Sequence, residues 1–223
     1  MQALSAMMKL LKERNSLLKQ ERIDLAMLEV LDQQMIEQEL TLIALRRQFI
    51  AKMNANLSLK YNVLAGENAT VRAAYHTITD KTELNAMREE LARKLLENRE
   101  RDRILKTTSS GVHRDDLSFQ LNDRDVLSYA SQGQRRMIVL AWKLSLIDFI
   151  ADQLNELPVL LLDDVLSELD QQKRVNLFSL ISSEIQTFIT TTEIADLLPF
   201  LPRKPKIAEI DSGQIRPWKE DMN

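Results

Sequence analysis

Residues 158–170 read PVLLLDDVLSELD, an apolar run that ends in two adjacent carboxylates, Asp163 and Asp164. The four apolar residues 159–162 predict a buried strand, and a polar turn at residues 167–170 follows it. Acids at the carboxyl end of a sheet strand are typical of sites that hold a metal ion beside a nucleotide. For an isolated acid pair, capping of the next helix would be the favoured interpretation, but the apolar run and the turn reverse this and favour the functional interpretation.

A second stretch, SYASQGQRR at residues 128–136, lies where a loop becomes a helix. A hydroxyl, a glycine and several backbone N–H groups at a helix N-terminus can bind phosphate oxygens. Ser131 is also a plausible N-cap, which is the structural alternative. Arg135 and Arg136 begin a helix, where the dipole disfavours cations, so we expect them to meet phosphate or a partner acid.

Glycine is scarce, and this limits how phosphate could be held. The four glycines are Gly66, Gly111, Gly133 and Gly213, and none precedes a Lys-Ser/Thr pair in a Gly-rich loop. The chain therefore carries one half of a phosphate-handling site.

Composition narrows the class of protein. The chain has 223 residues, 44% hydrophobic and 28% charged, which is typical of an ordered globular protein. The absence of cysteine excludes disulfides and thiolate metal sites and fits a cytoplasmic location. A net charge of −3 argues against coating nucleic acid by bulk charge, and the sequence has neither a membrane span nor a signal peptide.

Hydrophobic spacing predicts an α/β fold behind a helical segment. We predict helices over 3–20, 24–54, 80–106 (capped by Asp80), 132–155 and 171–184, with a short one at 194–198. Strands are expected at 57–63, 117–121, 158–163 and 186–191, with a hairpin at 207–215. This organisation divides the chain into a mainly helical insert at 1–106 and an α/β lobe at 107–223.

The order of these features resembles the ABC-type ATPases of chromosome and repair proteins, in the SMC/Rad50-like class. In that family an S-x-G-Q signature precedes a helix, an apolar Walker B strand with acids and an S-x-L-D turn called the D-loop. The details are similar to the RecF family: Asp163-Asp164 in place of Asp-Glu, S-Q-G-Q-R-R at the signature, a G-V-H-R-D-D block at 111–116 and threonines after the next strand. The resemblance implies the C-terminal lobe of an ABC-type head, following a lobe with the Walker A loop.

The resemblance also implies roles for individual residues. Ser131 and Gly133 would bind the γ-phosphate of ATP held by the other subunit, and Gln134 would support the loop. Asp163 would hold Mg²⁺ through water, and Asp164 would polarise the attacking water. Ser167 and Asp170 would lie at the dimer interface. Thr190 would sense the γ-phosphate.

The function so implied is ATP-dependent homodimerisation that clamps DNA at single-stranded/double-stranded gap junctions, helping RecR and RecO to load RecA. Without a Walker A loop, the chain alone is expected neither to bind ATP tightly nor to hydrolyse it. Two alternatives remain: an SMC-like or RecN-like head fragment that tethers DNA structurally, and a helical scaffold whose acids are only structural. The interspersed acids favour a solvated surface over a DNA groove for the basic helix faces, and a structural role is favoured for His113.

Overall fold

The computed structural model describes residues 2–166, 169–192, 194–201 and 203–217. Helices are α1 (Gln2–Leu17), α2 (Leu25–Ala65), α3 (Leu84–Leu105), α4 (Val126–Tyr129), α5 (Gln132–Leu154), α6 (Gln171–Ser179) and α7 (Ile194–Leu197), with 3₁₀ turns at Val112–Arg114 and Leu198–Phe200. Strands are β1 (Val71–His76), β2 (Asp116–Leu121), β3 (Arg124–Asp125), β4 (Leu160–Asp163), β5 (Thr187–Thr190), β6 (Ala208–Asp211) and β7 (Gln214–Pro217). The antiparallel sheets are β1-β2-β3 and β6-β7, and β4-β5 is parallel.

Helix α2 is longer than the sequence pattern predicts, and the strand expected at 57–63 is wrong. Leu57, Tyr61 and Leu64 are spaced by four and three and are fully buried, which is a helical period. The helix begins at an Asp24 cap and ends at Gly66, whose φ of 66° places it in the left-handed region that glycine tolerates.

Strand β1, which the sequence pattern does not predict, pairs with β2. Its outer edge is closed by two side chains of α2. Asn54 exchanges two hydrogen bonds of 2.8 Å with the backbone of Ala73, and Ser58 does the same with Val71 at 2.8 and 2.9 Å. These side chains pair backbone groups that an edge strand otherwise leaves open.

Two apolar clusters make up the core, and both include part of α2. The first packs the N-terminal half of α2 against α1 and α3. The second packs its C-terminal half against β1, α5, β4 and α6. Both clusters therefore include residues on each side of position 106; in the first cluster, Val112 is the residue beyond it. The division into an insert at 1–106 and a lobe at 107–223 remains a prediction.

Arg14 of α1 is fully buried and joins the helices of the first cluster. Its Nε donates to Asp32 of α2 at 2.7 Å, and its Nη1 donates to Asp102 of α3 at 2.7 Å and to Thr108 at 2.9 Å. Asp102 also accepts hydrogen bonds from the backbone N–H and hydroxyl of Ser109 at 2.8 and 2.6 Å. One guanidinium thus fixes three helices and the segment that follows α3.

The parallel pair β4-β5 is buried on one face only. Leu162 is buried against the second cluster, whereas Val159, Leu161 and Phe188 are exposed. The expectation that the apolar run 159–162 lies wholly inside the protein is therefore wrong. Two strands have two faces, and the helices of the described residues cover only one of them.

Apart from the short helix α4 and the 3₁₀ turns, which the sequence pattern does not predict, the remaining elements agree with it in type, and the α/β fold class is confirmed. Helix α3 is capped by Glu83, not by Asp80 as expected, because the Glu83 carboxylate accepts from the N–H groups of Asn85 and Ala86. Helix α6 ends at Ser179, earlier than expected. Within the described part of the chain, no helix has the length and apolar character needed to cross a membrane.

Candidate functional site

Three of the predicted site residues meet at the carboxyl ends of β4 and β5. Asp163 and Thr190 are paired in the parallel register. The Thr190 hydroxyl donates to Asp163 Oδ1 at 2.6 Å and accepts from the Asp164 backbone N–H at 3.1 Å. Both carboxylates are exposed, and Asp164 has a φ of 50°, which turns the chain away from the sheet. The strand ends thus present two oriented acids to solvent.

These acids suit a Mg²⁺ ion that arrives with a nucleotide. Mg²⁺ usually keeps several waters and binds one or two carboxylates together with phosphate oxygens. The described residues contain no cluster of three or more His, Asp or Glu side chains able to hold a metal ion. At Asp163, Mg²⁺ would be held by this carboxylate together with water or other oxygen ligands.

The signature turn forms the start of α5. Ser131 Oγ accepts from the Gln134 backbone N–H at 3.2 Å, and Gln134 Oε1 accepts from the Ser131 N–H at 3.1 Å, so the two close a capping box. The Ser131 hydroxyl is exposed and can still donate its own proton. A Cβ at Gly133 would meet only Ser131 Oγ, at 4.0 Å, so the fold leaves room for a side chain there. Glycine instead keeps the space beside the hydroxyl open.

Residues that the motif did not indicate hold this turn in place. Gln134 Nε2 donates to Glu67 Oε2 at 3.4 Å, and the Tyr61 hydroxyl donates to the same oxygen at 2.8 Å. Arg135 folds back to donate to the carbonyls of Ala130 and Leu127 at 3.0 and 2.8 Å. The Arg135 guanidinium thus binds local backbone, and its contact with phosphate or a partner acid stays a prediction.

The D-loop is described only in part, since Ser167 lies outside the described residues. Asp170 is the N-cap of α6 and accepts from the Lys173 N–H at 2.9 Å. The Lys173 side chain and this backbone bond hold the pKa of Asp170 below its ordinary value. Arg174 donates to the carbonyls of Leu166 and Leu169 at 3.1 and 3.0 Å and so fixes both ends of the turn.

The block at 111–116 contacts the helical segment through Glu39. This side chain is fully buried, and its Oε1 accepts from the Val112 N–H at 3.2 Å. A Cβ at Gly111 (φ 137°) would lie 2.4 Å from Glu39 Oε1 and 3.1 Å from His113 Nδ1, so only glycine fits between them. Burial raises the pKa of Glu39 to about 7. Burial also lowers the pKa of His113, whose Nε2 lies 3.2 Å from the Thr108 carbonyl.

The same block is tied to α2 and β1 through Asp115. The Arg46 guanidinium donates to Asp115 at 2.6 Å and to the Val112 carbonyl at 2.7 Å, and the Tyr75 hydroxyl also donates to Asp115. Together with Glu39, these contacts make the block a junction between the helical segment and the first sheet.

Several basic residues of the helices are engaged within the chain. Arg88 forms two bonds to Glu37 at 2.9 and 3.0 Å, and Arg99 approaches Asp32 at 3.3 Å. Arg47 donates to two backbone carbonyls, and Lys52 pairs with Asp152 at 3.0 Å. This pattern favours the solvated-face interpretation over a DNA groove.

The predicted site residues thus form two separate groups. Asp163, Asp164 and Thr190 are hydrogen-bonded at the strand ends, while Ser131 and Gln134 are bonded to each other at the start of α5. Each group faces solvent, so each could contact a nucleotide that the other does not touch.

Thr190→Val is expected to lower the free energy of unfolding by about 0.5–1.5 kcal/mol, because valine neither donates to Asp163 nor accepts from the Asp164 N–H. Urea unfolding followed by circular dichroism measures the change. Thr190→Ser keeps the hydroxyl and should stay near the wild type; an equal loss in the serine variant would contradict this role of the hydroxyl.

Comparison with known proteins reveals close relatives, although no family model matches the chain. The DNA replication and repair protein RecF of Streptococcus gordonii is 40% identical over 207 residues, which are 92% of this chain and 57% of the relative. RecF of Staphylococcus carnosus is 35% identical over 219 residues, 95% of this chain and 59% of the relative. The chain spans a little over half the length of the curated relatives it matches.

Two solved RecF structures are also similar to this chain. The structure of the recombination mediator protein RecF-ATPrS in the RecFOR pathway has a TM-score of 0.83 and 31% identity, covering 96% of this chain and 57% of that chain. The RecF-ATP structure of the same pathway has a TM-score of 0.81 and 30% identity, covering 97% and 58%.

Proposed function

We infer that this chain, which corresponds to a C-terminal portion of RecF, supplies half of a composite ATP site. ATP bound at this site joins two copies of the protein. The observation that carries this proposal is the exposed Ser131 hydroxyl beside the open space at Gly133. The N-terminus of the 23-residue helix α5 adds N–H groups and a favourable dipole for a phosphate. Solved RecF structures that match this chain contain ATP or ATPrS.

Among the described residues, no hydrogen bond joins the two groups, and in this proposal they meet the nucleotide from different copies of the protein. Ser131 has its partners at the start of α5, and the acids have theirs at the ends of β4 and β5. A triphosphate held near the acids of one copy can present its γ-phosphate to Ser131 of a second copy. Hydrolysis then removes the group that both copies bind and opens the dimer.

Within this proposal each side chain has a defined task. Asp163 holds Mg²⁺, usually through water, and Asp164 polarises the attacking water. Thr190, bonded to the Asp163 carboxylate and to the Asp164 backbone N–H, reports the γ-phosphate, while Ser167 and Asp170 meet the partner copy. Aspartate at position 164 is shorter than the usual glutamate, which supports slow turnover and a switch more than a motor.

The biological setting follows from the relatives. Their names place RecF in DNA replication and repair and in the RecFOR pathway as a recombination mediator. We propose that the complete protein acts in the cytoplasm, clamps gapped DNA when ATP joins its two copies, and helps RecR and RecO to load RecA.

Ser131→Arg tests the proposal in a protein extended to the length of the relatives. Light scattering with ATP should show dimers for the parent and monomers for the variant, since the arginine side chain fills the phosphate position. Gln132→Arg, one residue further along the same exposed turn, is the matched control and should still dimerise. Dimers of Ser131→Arg at the parent's ATP concentration would refute contact in trans.

A further inference from the structure

We propose that Tyr129 and Arg124 form a stacking platform for the base of the nucleotide whose γ-phosphate meets Ser131. The inference rests on the proposed function, since it needs a nucleotide presented in trans. In this proposal, the base of that nucleotide binds the same copy of the chain that provides Ser131.

The platform is a largely exposed aromatic ring with a guanidinium over one of its faces. Tyr129 is 69% exposed. The Arg124 guanidinium carbon lies 5.2 Å from the ring centroid, over one face. A surface cavity of about 370 Å³ lies beside the pair, lined by these two residues with Leu121 and Asn122. Its volume is in the lower part of the range of small-molecule pockets.

The backbone on both sides of the ring is fixed. The Asp125 carboxylate caps α4 by accepting from the N–H and hydroxyl of Ser128, both at 2.9 Å. Arg135 holds the carbonyls on either side of Tyr129, those of Leu127 and Ala130. A ring on a fixed backbone loses little conformational freedom when it binds, which favours binding.

The spacing along the chain suits one nucleotide. Tyr129 and Ser131 are separated by Ala130, which is extended with φ −77° and ψ 141°. Their α carbons are therefore at most about 7 Å apart, and the tyrosine side chain reaches further. In this proposal, a nucleoside triphosphate with its γ-phosphate at Ser131 extends its ribose and base toward the Tyr129 ring.

The chemistry of the pair matches a base better than a protein side chain. Every nucleobase has a flat π face that stacks on an exposed aromatic ring. The Arg124 guanidinium over one face is attracted to the ring and adds positive charge beside it. An isolated apolar contact would not need this charge.

Photolabelling with 8-azido-ATP tests the inference directly, again in the protein of the relatives' length. Under dimer-forming conditions, the azido group on the base should form an adduct in the peptide that contains Tyr129. Tyr129→Ala should lose this adduct and raise the ATP concentration needed for half-maximal dimerisation by about tenfold or more. Tyr129→Phe keeps the ring and should behave as the parent.

Two controls separate the possible failures. Leu127→Ala, at an equally exposed neighbour, should leave the ATP requirement unchanged. Adducts that form only elsewhere in a dimeric protein would overturn the platform, even if Tyr129→Ala weakens the dimer, because the ring would then contact protein. If Ser131→Arg still dimerises with ATP, the proposed function is refuted. If Ser131→Arg loses the dimer while Tyr129→Ala keeps the parent's ATP requirement, only the platform is refuted.

Discussion

Replacing Arg14 with methionine is expected to lower the free energy of unfolding by about 3–5 kcal/mol. The methionine fills similar space but leaves the buried Asp102 carboxylate without its cation. Asp102 would keep only the two bonds from Ser109, and Asp32 only its contact with Arg99 at 3.3 Å. A buried charge without its partner is among the most costly changes in a protein core.

Urea unfolding followed by circular dichroism measures this loss. Arg93→Met is the matched control, because Arg93 pairs with Glu97 on the exposed face of α3 and should cost less than about 1 kcal/mol. A double variant, Arg14→Met with Asp102→Leu, removes both charges and should recover part of the loss. Equal costs for the two single variants would contradict the importance of the buried network.

Glu39→Gln is expected to stabilise the protein above pH 7 by roughly 3 kcal/mol. Burial raises the pKa of Glu39 from 4.5 to about 7 in the folded protein, and each pKa unit corresponds to about 1.4 kcal/mol. A raised pKa means that the folded state binds the proton more tightly. In the wild type, the stabilisation from the bound proton is complete below pH 4.5 and is lost as the pH rises through about 7. Glutamine is neutral at every pH, so the variant keeps this stabilisation.

The charged groups around Glu39 set how the test must be analysed. Asp115 and Asp32 oppose its ionisation, and Arg14 favours it. His113 acts in the opposite direction to Glu39: burial lowers its pKa below 6.5, so its contribution is lost as the pH falls. The difference between wild-type and Glu39→Gln unfolding free energies, measured from pH 4 to 8, isolates Glu39.

Glu37→Gln serves as the control for this pH dependence. Its carboxylate is on the exposed face of the same helix, and the Arg88 bond lowers its pKa. The difference between this variant and the wild type should therefore show no rise between pH 4.5 and 7. A flat difference curve for Glu39→Gln would mean that folding does not raise the pKa of Glu39, and it would contradict this prediction.

The sequence predicts the helices and the acid-bearing strand well, because their signals are local. It misassigns 57–63 because Leu57, Leu59, Tyr61 and Val63 alternate with a period of two, while Leu57, Tyr61 and Leu64 also fit a helical period. Tertiary packing decides between the two, since Leu57, Tyr61 and Leu64 are buried and Leu59 is exposed. Strand β1 depends on pairing with β2, from Val71 with Leu121 to His76 with Asp116, which no local pattern announces.

The candidate site likewise contains residues that the sequence predicts and residues that it does not. Ser131, Asp163 and Asp164 stand out because their motifs are contiguous in the chain. Glu67 and Arg174 support those motifs through hydrogen bonds and carry no motif of their own. Arg14 and Glu39 look like ordinary surface charges in a sequence, and only the packing of helices far apart in the chain buries them. Residues that act through long-range contacts are invisible to spacing arguments.

Helix α2 also has a mechanical consequence. Its 41 residues run without a break, so it is a rod about 60 Å long. One end lies next to Glu67, which is bonded to the Gln134 side chain at the signature turn, and the other is joined to α1 and α3 through Asp32 and Arg14. A rigid lever of this length turns a tilt of about 5° at one end into a displacement of about 5 Å at the other. Under the proposed function, strain imposed at the signature turn would reach the distant end of α2 as an amplified movement.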